Sequence, residues 1–255
     1  MTPVPSPAYA FPRVVGHRGA CALAPENTLA SIRRAAIDGA GMVELDVRLT
    51  ADGRCVLLHD DTLDRTTDGC GPVSSAYLDH LSALDAGLWF SSDFRGESVP
   101  TLEETIDLLL ELGVGLNLEL KPSPGYEADM VRAVVSVLES MWPSDRLLPL
   151  LSSFDCTILE YASDFAPGWP LGLIADRLPD DWLALARDLG LKSVNLGYEG
   201  LDMAAVQTVR KAGYEVAIWT VNDPVRAQEL LCSGVSAIIS DDPGALLRAG
   251  VGVKG

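Results

Sequence analysis

The stretch Met42-Val43-Glu44-Leu45-Asp46-Val47-Arg48-Leu49-Thr50-Ala51-Asp52-Gly53 decides the fold. It alternates apolar residues with charged ones and ends on a turn. Residues two apart in a strand share a face, so Glu44 and Asp46 point the same way. Charges on an apolar strand are costly to bury unless a metal or a partner neutralises them. Asp52-Gly53 is a strong hairpin signal. Folding the chain back about Asp52 places His59, at the end of Val56-Leu57-Leu58, opposite residues 44–46.

Outward from this stretch, short apolar strands alternate with amphipathic helices. Core strands are expected near 13–17, 42–48, 115–121, 147–153, 170–175, 193–197, 215–221 and 237–241. Helical periodicity fills 28–38, 102–112, 127–140, 155–164, 181–189, 202–212 and 224–233. Gly39, Gly113, Gly190, Gly213 and Gly234 stand just past helix ends, where a left-handed residue is favoured. Thr101-Leu102-Glu103-Glu104 is a capping box. Strand–helix alternation implies a parallel sheet. Eight such strands in 255 residues point to a closed (β/α)8 barrel, with a doubly wound open sheet as the alternative. Residues 61–100 break the rhythm and read as an irregular insertion, where barrels carry substrate-selecting loops.

The chain carries 36 acidic and 19 basic residues, a formal net charge of −17. That argues against nucleic acid or an anionic membrane surface as partner. An anionic substrate would need local positive charge from a metal or from placed Arg and Lys. The five cysteines (Cys21, Cys55, Cys70, Cys156 and Cys232) are scattered and form no C-x-x-C. They read as reduced thiols, small buried hydrophobes of a cytoplasmic protein. Met1 to Pro12 lacks the pattern of a signal peptide. No apolar run approaches the ~18 residues of a membrane span.

Only three histidines occur, and two of them, His17 and His59, end apolar strand-like runs. With pKa values near neutrality they suit general acid–base work. Glu44, Asp46 and Glu119 are candidate ligands for one divalent cation. Oxygen-only donors favour Mg2+ or Ca2+, with Mn2+ possible. The competing reading is a set of structural ion pairs with Lys121 and Arg48 as counter-charges. Arg18 and Lys121 are candidate phosphate binders. Trp219 ends the seventh core strand and either lines the mouth or fills the core. Asn27 reads first as a helix cap and second as a positioner of Arg18 or His17. His80 reads as structural or solvated.

Taken together, the motifs resemble the glycerophosphodiester phosphodiesterase family. The match runs in order from about residue 13 to 247. It comprises Gly16-His17-Arg18-Gly19, Pro25-Glu26-Asn27-Thr28, Glu44-Leu45-Asp46-Val47 and Thr50-Ala51-Asp52-Gly53. It continues through His59-Asp60, Thr62-Leu63-Asp64-Arg65-Thr66-Thr67-Asp68-Gly69, Pro100-Thr101-Leu102-Glu103-Glu104, Glu119-Leu120-Lys121 and Trp219-Thr220-Val221-Asn222. Each motif alone is weak, and the ordered series is specific. The resemblance implies a single TIM-barrel catalytic domain over residues 1–255 with a small inserted subdomain at 62–100. It also implies Ca2+- or Mg2+-dependent hydrolysis of glycerophosphodiesters, such as glycerophosphocholine or glycerophosphoethanolamine, to sn-glycerol 3-phosphate and an alcohol. By the same resemblance, Glu44, Asp46 and Glu119 hold the metal, His17 and His59 do acid–base work, and Arg18 and Lys121 lie near the phosphate. Asp61 stands where many members carry proline. The expected partner is a small-molecule diester, with the protein a monomer or homodimer. Alternatives are a lysophospholipase D-type enzyme, favoured by exposed Trp89 and Phe90, a non-catalytic binding barrel, and a sugar or amidohydrolase barrel.

Overall fold

The computed structural model describes residues 9–252. The N-terminal stretch Met1–Ala8, on which part of the signal-peptide expectation rests, lies outside them. Eight parallel strands close a barrel. They are β1 (Val14–His17), β2 (Met42–Leu49), β4 (Gly115–Leu120), β5 (Leu150–Ser153), β6 (Leu171–Ala175), β7 (Ser193–Gly197), β8 (Glu215–Trp219) and β9 (Ala237–Ser240). Closure is made by β1, which pairs with β2 through Gly16 and His17 and with β9 through Val14, Val15 and Gly16. The fold is thus a (β/α)8 barrel, and the open-sheet alternative is set aside.

The remaining strand, β3 (Cys55–Leu57), lies antiparallel on β2 with Val47 opposite Leu57 and Leu49 opposite Cys55. The turn closes as the Asp-Gly pair requires. Gly53 adopts φ 73°, and Thr50 N donates to Arg54 O at 2.9 Å. Leu58 N then donates to Asp46 O at 3.1 Å, which brings the next residue, His59, to the carboxylate strand.

The helices outside the barrel begin and end on local chemistry. α1 (Leu29–Ile37) is capped by Thr28 through a capping box with Ser31, so the cap reading of Asn27 fails. α2 (Leu78–Leu81) is a single turn and leaves His80 exposed. α3 (Leu102–Leu112) starts on the Thr101–Glu104 capping box and stops at left-handed Gly113. α4 (Glu127–Met141), α5 (Cys156–Phe165), α6 (Trp182–Asp188), α7 (Met203–Lys211) and α8 (Pro224–Cys232) follow the expected periodicity. α9 (Pro243–Arg248) was not expected. It is six residues long and opens Pro-Gly, which reads as a turn. Here Pro243 takes the first turn, and Gly244 leaves room for the Asp38 carboxylate, which a Cβ there would approach to 2.6 Å. β5 starts at Leu150 rather than 147 because Pro149 has no N–H for a ladder.

The main core lies between barrel and helices. There each fully buried Leu, Ile or Val, such as Leu45, Ile106 and Leu118, contributes about 1.5–3 kcal/mol. A second cluster, with Tyr9, Val15, Met42, Leu150 and Ala217, fills the interior at the N-terminal ends of the strands. Between β3 and α3 the chain packs Leu63, Val73, Leu81 and Val99 with Val56 and Leu58 into a small core of its own. The cysteines are all free, but Cys70, Cys156 and Cys232 are exposed and only Cys55 is buried. The expectation of small buried hydrophobes therefore fails for those three.

Candidate active site

The side chains singled out from the sequence converge at the C-terminal ends of the strands. His17 ends β1, Glu44 and Asp46 stand on β2, Glu119 on β4, Lys121 just beyond it, and Trp219 ends β8. His59 is delivered by the hairpin. All of these except Asp46, together with Arg18, line one cavity of about 150 Å3. Asp46 is buried behind this wall at 1% exposure.

Each histidine is held by a carboxylate at the same ring atom. His17 Nδ1 is 2.6 Å from Asp241 Oδ1, and His59 Nδ1 is 2.7 Å from Asp60 Oδ1. An accepting carboxylate keeps the proton on Nδ1 and leaves Nε2 as the working atom. His17 Nε2 lies 4.0 Å from Glu44 Oε2. Asp241 follows β9 and also accepts from Cys21 Sγ at 3.0 Å and from Asn222 Nδ2 at 2.8 Å. Burial alone would raise the pKa of Asp241, but the bonds from His17, Cys21 and Asn222 outweigh it and hold the carboxyl well below the usual range. Asp60 is depressed chiefly by its bond from Arg65. Burial pushes the pKa of His59 down, and burial with Asp241 pushes the Cys21 thiol up, so it stays a donor.

Arg65 ties two parts of the site together. Its guanidinium donates to both oxygens of Glu26 at 2.8 Å and to Asp60 at 2.6 and 2.9 Å. Glu26 in turn accepts from Arg18 at 2.7 Å. Arg18 sits in the left-handed region at φ 50°, with its main-chain N donating to Glu44 Oε2 at 3.3 Å. Such a conformation persists only where surroundings enforce it. The turn around it needs glycine, since a Cβ on Gly16 would fall 2.3 Å from Gly19 O. Arg48, one candidate counter-charge, instead donates to the His59 carbonyl at 3.0 and 2.6 Å and so fixes the hairpin.

The three acids Glu44, Asp46 and Glu119 are buried and bring their oxygens within 4.8 Å of one another. Lys121 Nζ lies 2.9 Å from Asp46 Oδ1 and 2.5 Å from Glu119 Oε1. Asn27, also left-handed at φ 56°, donates from Nδ2 to Asp46 Oδ2 at 2.8 Å and accepts from Asp46 N at 3.0 Å. Burial opposes ionisation of Asp46, yet Lys121, Arg18 and Asn27 together hold it ionised. Burial and the neighbouring acids push Glu44 well up, and burial with Asp46 pushes Glu119 to about 7. Arg18 Nε also lies 3.4 Å from Asp46 Oδ2, so two cations face three clustered carboxylates. Glu44 Oε1 is buried with no hydrogen-bond partner among the described residues. An orphaned buried oxygen beside two more carboxylates fits a hard divalent cation.

Sequence reasoning missed Asp241, Arg65 and the Asn27–Asp46 clamp. Asp60 and Arg65 were visible as motif letters, whereas nothing local signals Asp241.

The profile of the glycerophosphoryl diester phosphodiesterase family matches residues 17–245. A glycerophosphodiester phosphodiesterase of Caldanaerobacter subterraneus subsp. tengcongensis is 34% identical over 92% of this chain and 96% of its own. A phosphodiesterase of Oleispira antarctica, solved in complex with the product sn-glycerol-3-phosphate, superposes with a TM-score of 0.91 at 39% identity, covering 94% of this chain and 96% of that one. A glycerophosphodiester phosphodiesterase of Agrobacterium tumefaciens superposes at 0.79 with 29% identity over 93% and 100%. This chain belongs to the glycerophosphoryl diester phosphodiesterase family and is an enzyme of it. Among the described residues no helix is long and apolar enough to cross a membrane.

Proposed function

We propose that this protein hydrolyses glycerophosphodiesters, glycerophosphocholine and glycerophosphoethanolamine among them, to sn-glycerol 3-phosphate and the free alcohol. The observation that carries this reading is that His17, held by Asp241, and His59, held by Asp60, both line the cavity that Glu44 and Glu119 also line. A divalent cation, Mg2+ or Ca2+, held by Glu44, Asp46 and Glu119 would supply Lewis-acid stabilisation of charge on the phosphate oxygens. Arg18 and Lys121 add fixed positive charge on the same wall. His59, whose proton affinity burial lowers, starts neutral and takes the proton of the attacking oxygen at Nε2. His17 gives a proton from Nε2 to the departing alkoxide, and Asp241 holds its ring through Nδ1. The attacking oxygen in this reading is the glycerol 2-hydroxyl, giving a cyclic phosphate that water opens.

The test is release of sn-glycerol 3-phosphate from glycerophosphocholine by purified protein, in EDTA and after adding Mg2+ or Ca2+. Release that requires the cation supports the reading, and no release under any condition overturns it. A lysophospholipase D activity has one observation in its favour, the exposure of Trp89 in the segment between β3 and α3, whereas Phe90 beside it is half-buried. Hydrolysis of lysophosphatidylcholine in preference to glycerophosphocholine would favour it.

A further inference from the structure

The cavity wall is polar in places where the protein itself offers nothing to pair. Asn195, in the middle of β7, is 1% exposed. Among the described residues neither its Oδ1 nor its Nδ2 has a hydrogen-bond partner. Asn117 on β4 is equally buried. Its Oδ1 accepts from Ser152 Oγ at 2.8 Å, and its Nδ2 has no partner. Both side chains line the cavity that holds His17 and His59. A buried amide left unpaired is costly, so a barrel interior keeps one where a ligand pairs it.

Space beside Asn195 is kept open by Gly172 on β6. A Cβ there would stand 2.7 Å from Ser193 Oγ and 3.5 Å from Asn195 Nδ2. Trp219 Nε1 donates to the Asn195 carbonyl at 3.3 Å, which ties β8 to this segment. Below, the Tyr9, Val15, Met42 and Leu150 cluster closes the interior. A group reaching Asn195 must therefore be short, while a longer group leaves through the mouth past exposed Phe154.

We propose that Asn195 and Asn117 form a hydroxyl-binding subsite that takes the glycerol end of the diester. This rests on the functional reading above. A hydroxyl both donates and accepts, so it matches a free carboxamide oxygen and a free amide N–H together. A trimethylammonium group offers neither, and a primary ammonium only donates. The subsite thus selects the polyol end and leaves the alcohol end unread, which suits an enzyme that accepts several headgroups. Sites built to bond a hydroxyl discriminate strongly against analogues that lack it.

The experiment titrates sn-glycerol 3-phosphate and n-propyl phosphate into the cation-loaded protein by calorimetry, with glycerophosphocholine turnover measured beside it. The wild type should bind sn-glycerol 3-phosphate at least about tenfold tighter than propyl phosphate. Asn195→Leu and Asn195→Ala should each bring the two within about twofold, by weakening the glycerol ligand alone. Asn195→Leu should melt no lower than the wild type, because no protein group loses a partner. Loss of both ligands equally, or no loss of either, overturns the subsite. Turnover without the ligand preference also overturns it, whereas preference without turnover overturns the functional reading and leaves the subsite standing.

Discussion

His17 Nδ1 and Asp241 Oδ1 lie 2.6 Å apart although 224 residues separate them in the chain. Barrel closure makes the contact, since β1 pairs with β9 and Asp241 follows β9 directly. Asp241→Asn should therefore lower kcat by roughly 10²-fold, the scale of general acid–base catalysis, with KM little changed. Steady-state kinetics checks it, and a variant that changes KM alone would separate Asp241 from the chemistry.

Glu44 and Glu119 have pKa values raised in the folded state, Glu119 to about 7. A raised carboxyl makes the folded chain hold protons that the unfolded chain has released. Its contribution to stability is therefore lost as pH rises from the unfolded value through the folded one, here from about 4.5 to about 7. In EDTA, Glu44→Gln should melt above the wild type, by a margin that grows from pH 5 to pH 8. With Mg2+ or Ca2+ added the order should reverse, because the wild type gains a ligand that binds only the native state. Thermal melts at both pH values test both signs.

Asn27 clamps Asp46 with two hydrogen bonds and occupies a left-handed backbone. Asn27→Gly keeps the backbone and removes the clamp. It should lose about 10–100-fold in cation affinity, as loss of outer-shell partners does. Asn27→Ala should lose the same affinity and a further ~1 kcal/mol of stability from the strained φ. Cation titration and denaturant melts separate the two effects.

If the glycerol 2-hydroxyl attacks, an otherwise identical 2-deoxy diester has no nucleophile and should not turn over. Rapid hydrolysis of that analogue would assign attack to water.

The barrel was legible because strand and helix periods differ and the five glycines past the helix ends all take positive φ, from 66° to 102°. The carboxylates on β2 and β4 were legible because charge inside an apolar strand is rare. What stayed hidden depends on tertiary closure or on unusual backbone. Asp241 meets His17 only when β9 joins β1. Asn27 looked like a cap because caps and left-handed turns favour the same residue type. Arg48 alternates in register with Glu44 and Asp46, yet its side chain serves the His59 carbonyl. α9 was hidden by its Pro-Gly start and its six-residue length.

The most direct test is sn-glycerol 3-phosphate release from glycerophosphocholine by the wild type, His17→Ala and His59→Ala at saturating cation. Circular dichroism should show all three folded alike. The account predicts that each variant loses at least about 10²-fold in kcat. Near-wild-type turnover by either variant would remove that histidine from the chemistry and contradict the two-histidine mechanism.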